Sequence, residues 1–529
     1  MTKLKAIALA GVLCLAGSCQ DYLNVNTNPN APQSVQPNLY LSPMLHWLAT
    51  SPQFDGRFLG HYTQQWYSSS TAFSPASTWG RMGYDPTSDN GAQQWRDVYW
   101  SFGQNLVDMI TKSEEQQRWD LLGVGYALKA WGWQVLTDAH GEIIVKEAID
   151  PTRFTFDYDD QPYAYAEVQA LLAKAITNLQ RTDGLVNASY VAKGDNIYKG
   201  DRTKWLKFAY GLQAINLGHY TNKSTYNPDA VIAAVDQSFA SNADDALLQY
   251  PAASTDLADY NFLARSRNNI TFYRQTKFVV QLMDGAATSA FPGAVDPRMS
   301  RMLDSNAQGK YVGLDPNVSG FGALAAAQQP FNFFGYAGTG GNLLPGRYIF
   351  DDKSKVPIMT YSQLQFIKAE AALRKGDQAT ALTAYRNGIS SHIDFVNARY
   401  AELGQAGSQV TPAEKAAFLA NPAIVPAVGS LTLSHVMSQK YIAQWAWGHN
   451  ELWMDMRRYH YTDVDPVSGV QVFRGFALPT TLYVDNSGKP VQRLRPRYNS
   501  EYIWNVPALT VIGGLALDYH TKPLWITLP

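Results

Sequence analysis

Cysteine is nearly absent: the 529 residues contain two, Cys14 and Cys19, so no disulfide framework can hold the bulk of the chain. Charge is also sparse, at 16% of residues, with 43 Lys and Arg against 44 Asp and Glu. A net charge of −1 without a basic run leaves no footprint for nucleic acid. The apolar run Ala6–Gly17 has twelve residues, short of the roughly 20 that a spanning helix needs. Catalytic signatures are missing too: there is no HExxH, P-loop, GxSxG or dinucleotide fingerprint. The nine histidines are scattered, and the closest two, His449 and His460, are eleven positions apart, which is not a zinc-type spacing. The expectation is a protein with no cofactor, no metal and no enzymatic activity.

Apolar and aromatic residues are plentiful. They make up 46% and 13% of the chain, with 14 Trp, 31 Tyr and 22 Phe, enough for a large core. Length alone suggests about three domains of roughly 150 residues.

The stretch Ser362–Ile389 organises the fold. Leu364, Ile367 and Ala371 recur at helical spacing, Gly376-Asp377 interrupts them, and Ala379, Leu382, Tyr385 and Ile389 begin a second stripe. This predicts a helical hairpin in which Ala369, Ala371 and Ala372 allow close approach, with Ala381 and Tyr385 in a tetratricopeptide-like pattern. Such a pair needs others stacked on it. Further helices are predicted at Leu39–Leu59, Trp95–Met109, Trp119–Leu136, Tyr163–Leu179, Trp205–His219, Asp229–Phe239 and Leu433–Tyr459.

At the N-terminus, Lys3 and Lys5 precede the apolar run, and Ala16-Gly17-Ser18 precede Cys19. This reads as a secretory leader whose end resembles a bacterial lipobox, so Cys19 is expected to be acylated. Two or more acyl chains suffice for stable anchoring. Residues 19–38, rich in Asn and Pro, are expected to form a tether.

Two aromatic segments lack any helical period. The first, 64–91, carries Trp66, Tyr67, Phe73, Trp79 and Tyr84 among Ser, Thr, Gly and Pro; the second is PFNFFGYAGTGG at 330–341. A Trp or Tyr face covering about 60 Å² of a sugar ring contributes roughly 1.5 kcal/mol. Two or three such contacts, with hydrogen bonds from Gln64, Arg81 or Asn332, would exceed the roughly 4 kcal/mol of millimolar binding. At the other end of the chain, Glu451, Asp455, Arg457 and Arg458 share helical spacing and are expected to clamp a helix end with buried ion pairs.

Eight stretches stand in order along the chain: CQDYLNVNTNPNAP after the lipobox, TDAHGEIIVKEAI (137–149), FDYDDQPYAYAEVQALLAKAITNL (156–179) and GDNIYKGDRTKWLKFAYGLQAINLGHY (194–220). DPRMSRML (296–303), VPIMTYSQLQFIKAEAALRKGD (356–377), ELWMDMRRYH (451–460) and RLRPRYNSEYIWN (493–505) complete the set. Together they resemble the SusD-like (RagB) outer-membrane lipoproteins, especially their second subfamily. Ala214-Ile215-Asn216-Leu217 departs from the family, which usually has more arginine there.

The resemblance implies a mainly α fold, in which tetratricopeptide-like helical pairs form a scaffold and loop-rich segments pack on one side. It implies a leader at 1–18, a lipidated tether at 19–38 and one domain at 39–529. It also implies a non-enzymatic binding lipoprotein at the outer-membrane surface, closing over a SusC-like TonB-dependent transporter. Asp138, Glu142 and Glu147, the acids a glycoside hydrolase would use in pairs, then fall in an inter-helix turn. By region, the ligand platform falls on Trp66, Tyr67, Trp79, Arg81 and Tyr84, with Phe331, Asn332, Phe333 and Tyr336. Oligosaccharide is the expected ligand, peptide the alternative, and a protein-interaction scaffold without small ligand the third reading.

Overall fold

A computed structural model of the chain describes residues 35–69, 78–315, 317, 324–338 and 346–529. The leader, Cys19, most of the tether and Phe73 lie outside these residues. The helices of eight or more residues are α1 (Leu41–Tyr62), α2 (Gly103–Glu115), α3 (Trp119–His140), α4 (Gln161–Gln180), α5 (Arg202–Gly218) and α6 (Pro228–Gln237). They continue as α7 (Lys277–Asp284), α8 (Tyr361–Lys375), α9 (Gln378–Glu402), α10 (Pro412–Ala420), α11 (Leu433–Gln444) and α12 (His449–Arg458).

The architecture is mainly helical, and its helices pair as in a tetratricopeptide scaffold. α3 lies against α4, α5 against α6, and α8 against α9. The α8–α9 hairpin forms as its residues dictate. Gly376, at φ 86°, takes the left-handed position that ends α8, and Asp377 caps α9 by accepting from the Thr380 amide. Ala369, Ala372 and Ala381 are fully buried in one core, and Ala371 is fully buried in another with Leu364 and Ile367.

Two large apolar cores result. One gathers α2 to α6; the other gathers α7 to α9, α11, α12 and the loop segments. α1 joins them, giving Leu41, Met44, Leu45 and Leu48 to the first and Phe58, Leu59 and Tyr62 to the second.

The described residues also form two short antiparallel ribbons. β1 (Trp66–Ser68) pairs with β3 (Tyr273–Gln275), and β2 (Ala246–Gln249) pairs with β4 (Lys355–Met359). β1 is buried along its whole length.

Two predicted helices are interrupted. The helix expected over 433–459 divides into α11 and α12, because Ala446 adopts φ 72° and donates its amide to Gln65 Oε1 at 2.9 Å. The helix expected over 95–109 passes through a π-helical turn at Asp97–Phe102 before α2 begins. No helix among the described residues is long and apolar enough to cross a membrane.

Candidate functional site

The early aromatic segment folds inward. Gly56 and Gly60, one turn apart on α1, admit His449 and Trp66; a Cβ on Gly60 would stand 2.3 Å from Trp66 Nε1. Trp66 therefore sits in the core among Tyr273, Phe333, Trp445 and His449, and donates Nε1 to the Gly56 carbonyl. Tyr67 is equally buried, beside His61. Gln64 is buried and donates to the Ala477 carbonyl.

The second aromatic segment is drawn in by Arg274. Its buried guanidinium donates to the carbonyls of Pro330, Thr271 and Gly338, and burial lowers its pKa to about 10. Asn332 is buried, donating to Thr271 O and accepting the amides of Phe334 and Tyr336. Phe333 stacks on Phe350 at 4.8 Å.

Burial thus corrects the expectation for Trp66, Tyr67, Trp79, Asn332 and Phe333, which are at most 1% exposed and so do not present their side chains to a ligand at the surface. They plug the helical scaffold, and a missing helical period is equally compatible with a plug. Phe331 is half-buried, Tyr336 is 44% exposed, and half-buried Arg81 lies over the Tyr483 ring at 5.8 Å.

Trp79 and Tyr84 are brought together in a different way. With segment 493–502 they line a cleft of about 200 Å³, closed on one side by the turn Asp85–Asn90. Trp79, buried behind the cleft, donates Nε1 to Asp85 Oδ2 at 2.8 Å; Asn90 Nδ2 reaches the same oxygen at 2.8 Å. Thr87, at the tip of the turn, has φ 57°, a region that strains a β-branched residue.

The opposite wall is built on Arg495. Its guanidinium lies 4.0 Å over the Tyr84 ring and donates to the carbonyls of Ala516 and Leu517 at 2.6 and 2.7 Å. It also donates to the Tyr502 hydroxyl at 3.1 Å, and Tyr502 stacks on Tyr498 with ring centres 5.6 Å apart. Burial raises the Tyr84 hydroxyl to about 12, so it stays protonated; it donates to Asp485 Oδ2 at 3.3 Å. His520, lowered to about 4 chiefly by burial, is neutral at pH 7. The cleft therefore presents flat rings beside a fixed cation, amide and carboxylate groups. It is suited to a ligand with apolar faces and a hydroxyl rim.

The aromatic and charged partners on 493–520 carry no periodic signal. Arg495, Tyr498 and Tyr502 stand inside the RLRPRYNSEYIWN motif at 493–505 and His520 beyond it, and nothing in the motif indicates a partnership with Tyr84.

The acids with a possible catalytic pattern are dispersed to separate tasks. Glu142 pairs with Arg493 and Lys522, and Glu147 with Arg153. Asp138 accepts from Gln134 at 2.7 Å and from the Tyr165 hydroxyl. Asp138 and Glu451 flank His219, 3.5 Å from Nδ1 and 3.3 Å from Nε2. Burial opposes charge on His219, yet the two carboxylates raise its pKa to about 9. This is the geometry of an imidazolium held between two acids.

The remaining charges on α12 form the expected clamp. Arg458 reaches Glu370 Oε1 at 2.8 Å and Asp455 Oδ1 at 2.6 Å, while Lys440 reaches Asp455 Oδ2 at 2.8 Å. Burial opposes charge on Glu370, and Arg458 overcomes it, holding the carboxyl well below its usual range. Arg457 donates to the carbonyls of Asp138 and Gln492.

A family model described as "Starch-binding associating with outer membrane" matches residues 29–474. No curated protein matches the chain. Among solved structures, a SusD/RagB family protein from Bacteroides thetaiotaomicron is 21% identical with a TM-score of 0.65, covering 93% of this chain and 99% of its own. A chitin-binding SusD homolog from Flavobacterium johnsoniae is 19% identical with a TM-score of 0.68, covering 93% and 98%. A SusD homolog from Bacteroides fragilis is 17% identical with a TM-score of 0.68, covering 93% and 100%. At these identities the likeness establishes the fold.

Proposed function

The chain belongs to the SusD-like family, described as starch-binding and associated with the outer membrane, and on that footing we propose that it captures oligosaccharides at the cell surface for import. In this reading it is a lipid-anchored, non-enzymatic lid on a SusC-like TonB-dependent transporter. The observation that carries the ligand class is the Tyr84–Arg495–Tyr498 cleft, where stacked rings stand beside fixed polar groups. Sugar CH faces stack on such rings, and the hydroxyls around them are met by Asp85, Asn90 and backbone groups. At about 200 Å³ the cleft is smaller than the about 300–1,000 Å³ of drug-sized ligand sites, so it grips one part of a chain and leaves the rest along the rim. Modest affinity suits capture followed by release.

The test is purification of the native lipoprotein from detergent-solubilised outer membrane, with mass spectrometry of what accompanies it. The reading predicts a large barrel protein in near-equal amount and a retained saccharide. Recovery of the lipoprotein alone contradicts the transporter partnership, and a retained peptide contradicts the ligand class. Cys19→Ala should release the protein from the membrane; a variant still bound after a carbonate wash contradicts the anchor.

A further inference from the structure

π-Helical turns are rare and concentrate at functional sites, because the extra residue in the helical ladder re-aims side chains. The described residues contain two, at Asp97–Phe102 and Tyr498–Tyr502, and both line one cleft of about 270 Å³. That cleft lies on the other side of segment 495–502 from the one containing Tyr84. Residues Arg495, Pro496, Tyr498 and Tyr502 line the first cleft, and Arg497, Ser500 and Glu501 line the second.

The first π turn is held from within by Asp97, which is buried. It accepts from Ser51 Oγ at 2.6 Å, from Gln93 Nε2 at 2.8 Å and from Ser101 Oγ at 2.7 Å. The turn leaves Trp100 72% exposed at the cleft, its ring braced by the Arg96 guanidinium 5.3 Å away. The second π turn brings Glu501 to the opposite wall, 5% exposed. Tyr158 and Asn505 both donate to Glu501 Oε2, at 2.7 and 2.9 Å, leaving Oε1 as a spare acceptor. Asp89 fixes the wall itself, pairing with Arg497 at 2.5 Å and accepting from Asn499. A polar hollow of about 460 Å³ continues from Trp100 past Gln104, Asn105 and Asp150.

We propose that the cleft between the two π turns is a second saccharide-binding site, in which a sugar ring stacks on Trp100 and a ring hydroxyl donates to Glu501. Its position rests on the two π turns and their side chains; its ligand class rests on the saccharide reading of the first cleft. Two sites on opposite faces of one wall would let a single chain or two chains bind at once. The rim between them is formed by the loop residues that Asp89 secures.

The test uses the full protein labelled with 5-fluorotryptophan, whose fourteen ¹⁹F signals include Trp100, assigned by its disappearance in Trp100→Phe. Maltoheptaose and chitohexaose are titrated in, with calorimetry in parallel. The proposal predicts that the Trp100 signal shifts with one of these in the native protein and also in Tyr84→Ala, which damages the first cleft and lies outside both π turns. It further predicts that Trp100→Ala weakens this second-site binding roughly tenfold or more. Trp100 is exposed, so its loss leaves the fold intact. Heat of binding without movement of the Trp100 signal overturns the second site and leaves the function standing. No heat with either saccharide overturns the saccharide reading itself, and the ligand class proposed here with it.

Discussion

The Arg495 guanidinium lies 4.0 Å over the ring of Tyr84 while it donates to the carbonyls of Ala516 and Leu517. One cation thereby ties the early aromatic segment to the C-terminal tail. It holds two aromatic surfaces in fixed relation: Tyr84 on one side, and the Tyr498–Tyr502 stack on the other. Rings held this way lose little freedom on binding, which is the condition for weak stacking contacts to add up.

Trp66 and Trp79 contribute chiefly to stability. Each is almost fully buried, and truncating a buried aromatic costs about 3–5 kcal/mol. Trp66→Ala and Trp79→Ala should each lower the urea midpoint markedly, whereas Tyr498→Ala, on a half-buried ring, should lower it little. An unchanged midpoint in Trp66→Ala would contradict the plug assigned to this segment.

His219 should be charged at neutral pH. Its folded pKa of about 9 stands above the ordinary 6.5, so its contribution to stability is complete below pH 6.5 and is lost as pH rises through about 9. His140 and His449, each lowered to about 3 chiefly by burial, act in the opposite direction and cost stability as pH falls below 6.5. Imidazole NMR titration should show His219 losing its proton near pH 9 and the other two staying neutral through pH 5. A His219 signal titrating near 6 would contradict the two-carboxylate clamp.

Arg458 neutralises two buried acids, Glu370 and Asp455. Arg458→Met strips Glu370 of its nearest cation and leaves Asp455 to Lys440 alone, and should destabilise the protein by about 3–5 kcal/mol. Adding Glu370→Leu removes one stranded charge, so the double variant should recover part of the loss. Strict additivity in the double-mutant cycle, read from urea unfolding, would contradict the coupling.

The scaffold was legible because alanines, glycines and apolar spacing act locally. The α8–α9 hairpin follows from Ala369, Ala372, Gly376 and Asp377 with no knowledge of the remaining chain. Breaks imposed from a distance were not legible. The gap between α11 and α12 depends on Gln65, far away in sequence, accepting the Ala446 amide. The aromatic segments were visible as such, but their burial was set by Gly60, Arg274 and Phe350. In the first cleft, Tyr84 was anticipated and Arg495 was not, because the pair meets only through the tertiary fold. Trp100 falls within the helix expected over 95–109, and no sequence pattern announces a π turn.

Calorimetric titration of the native protein and of Arg495→Met with maltoheptaose and chitohexaose tests the central claim most directly. The account predicts saccharide binding by the native protein and a loss of roughly tenfold or more in Arg495→Met, about 1.4 kcal/mol per factor of ten. Arg495→Lys should not restore it, because a point charge lacks the planar fork that spans the Tyr84 ring and two carbonyls. No binding by the native protein, or equal affinity in Arg495→Met, would contradict the account.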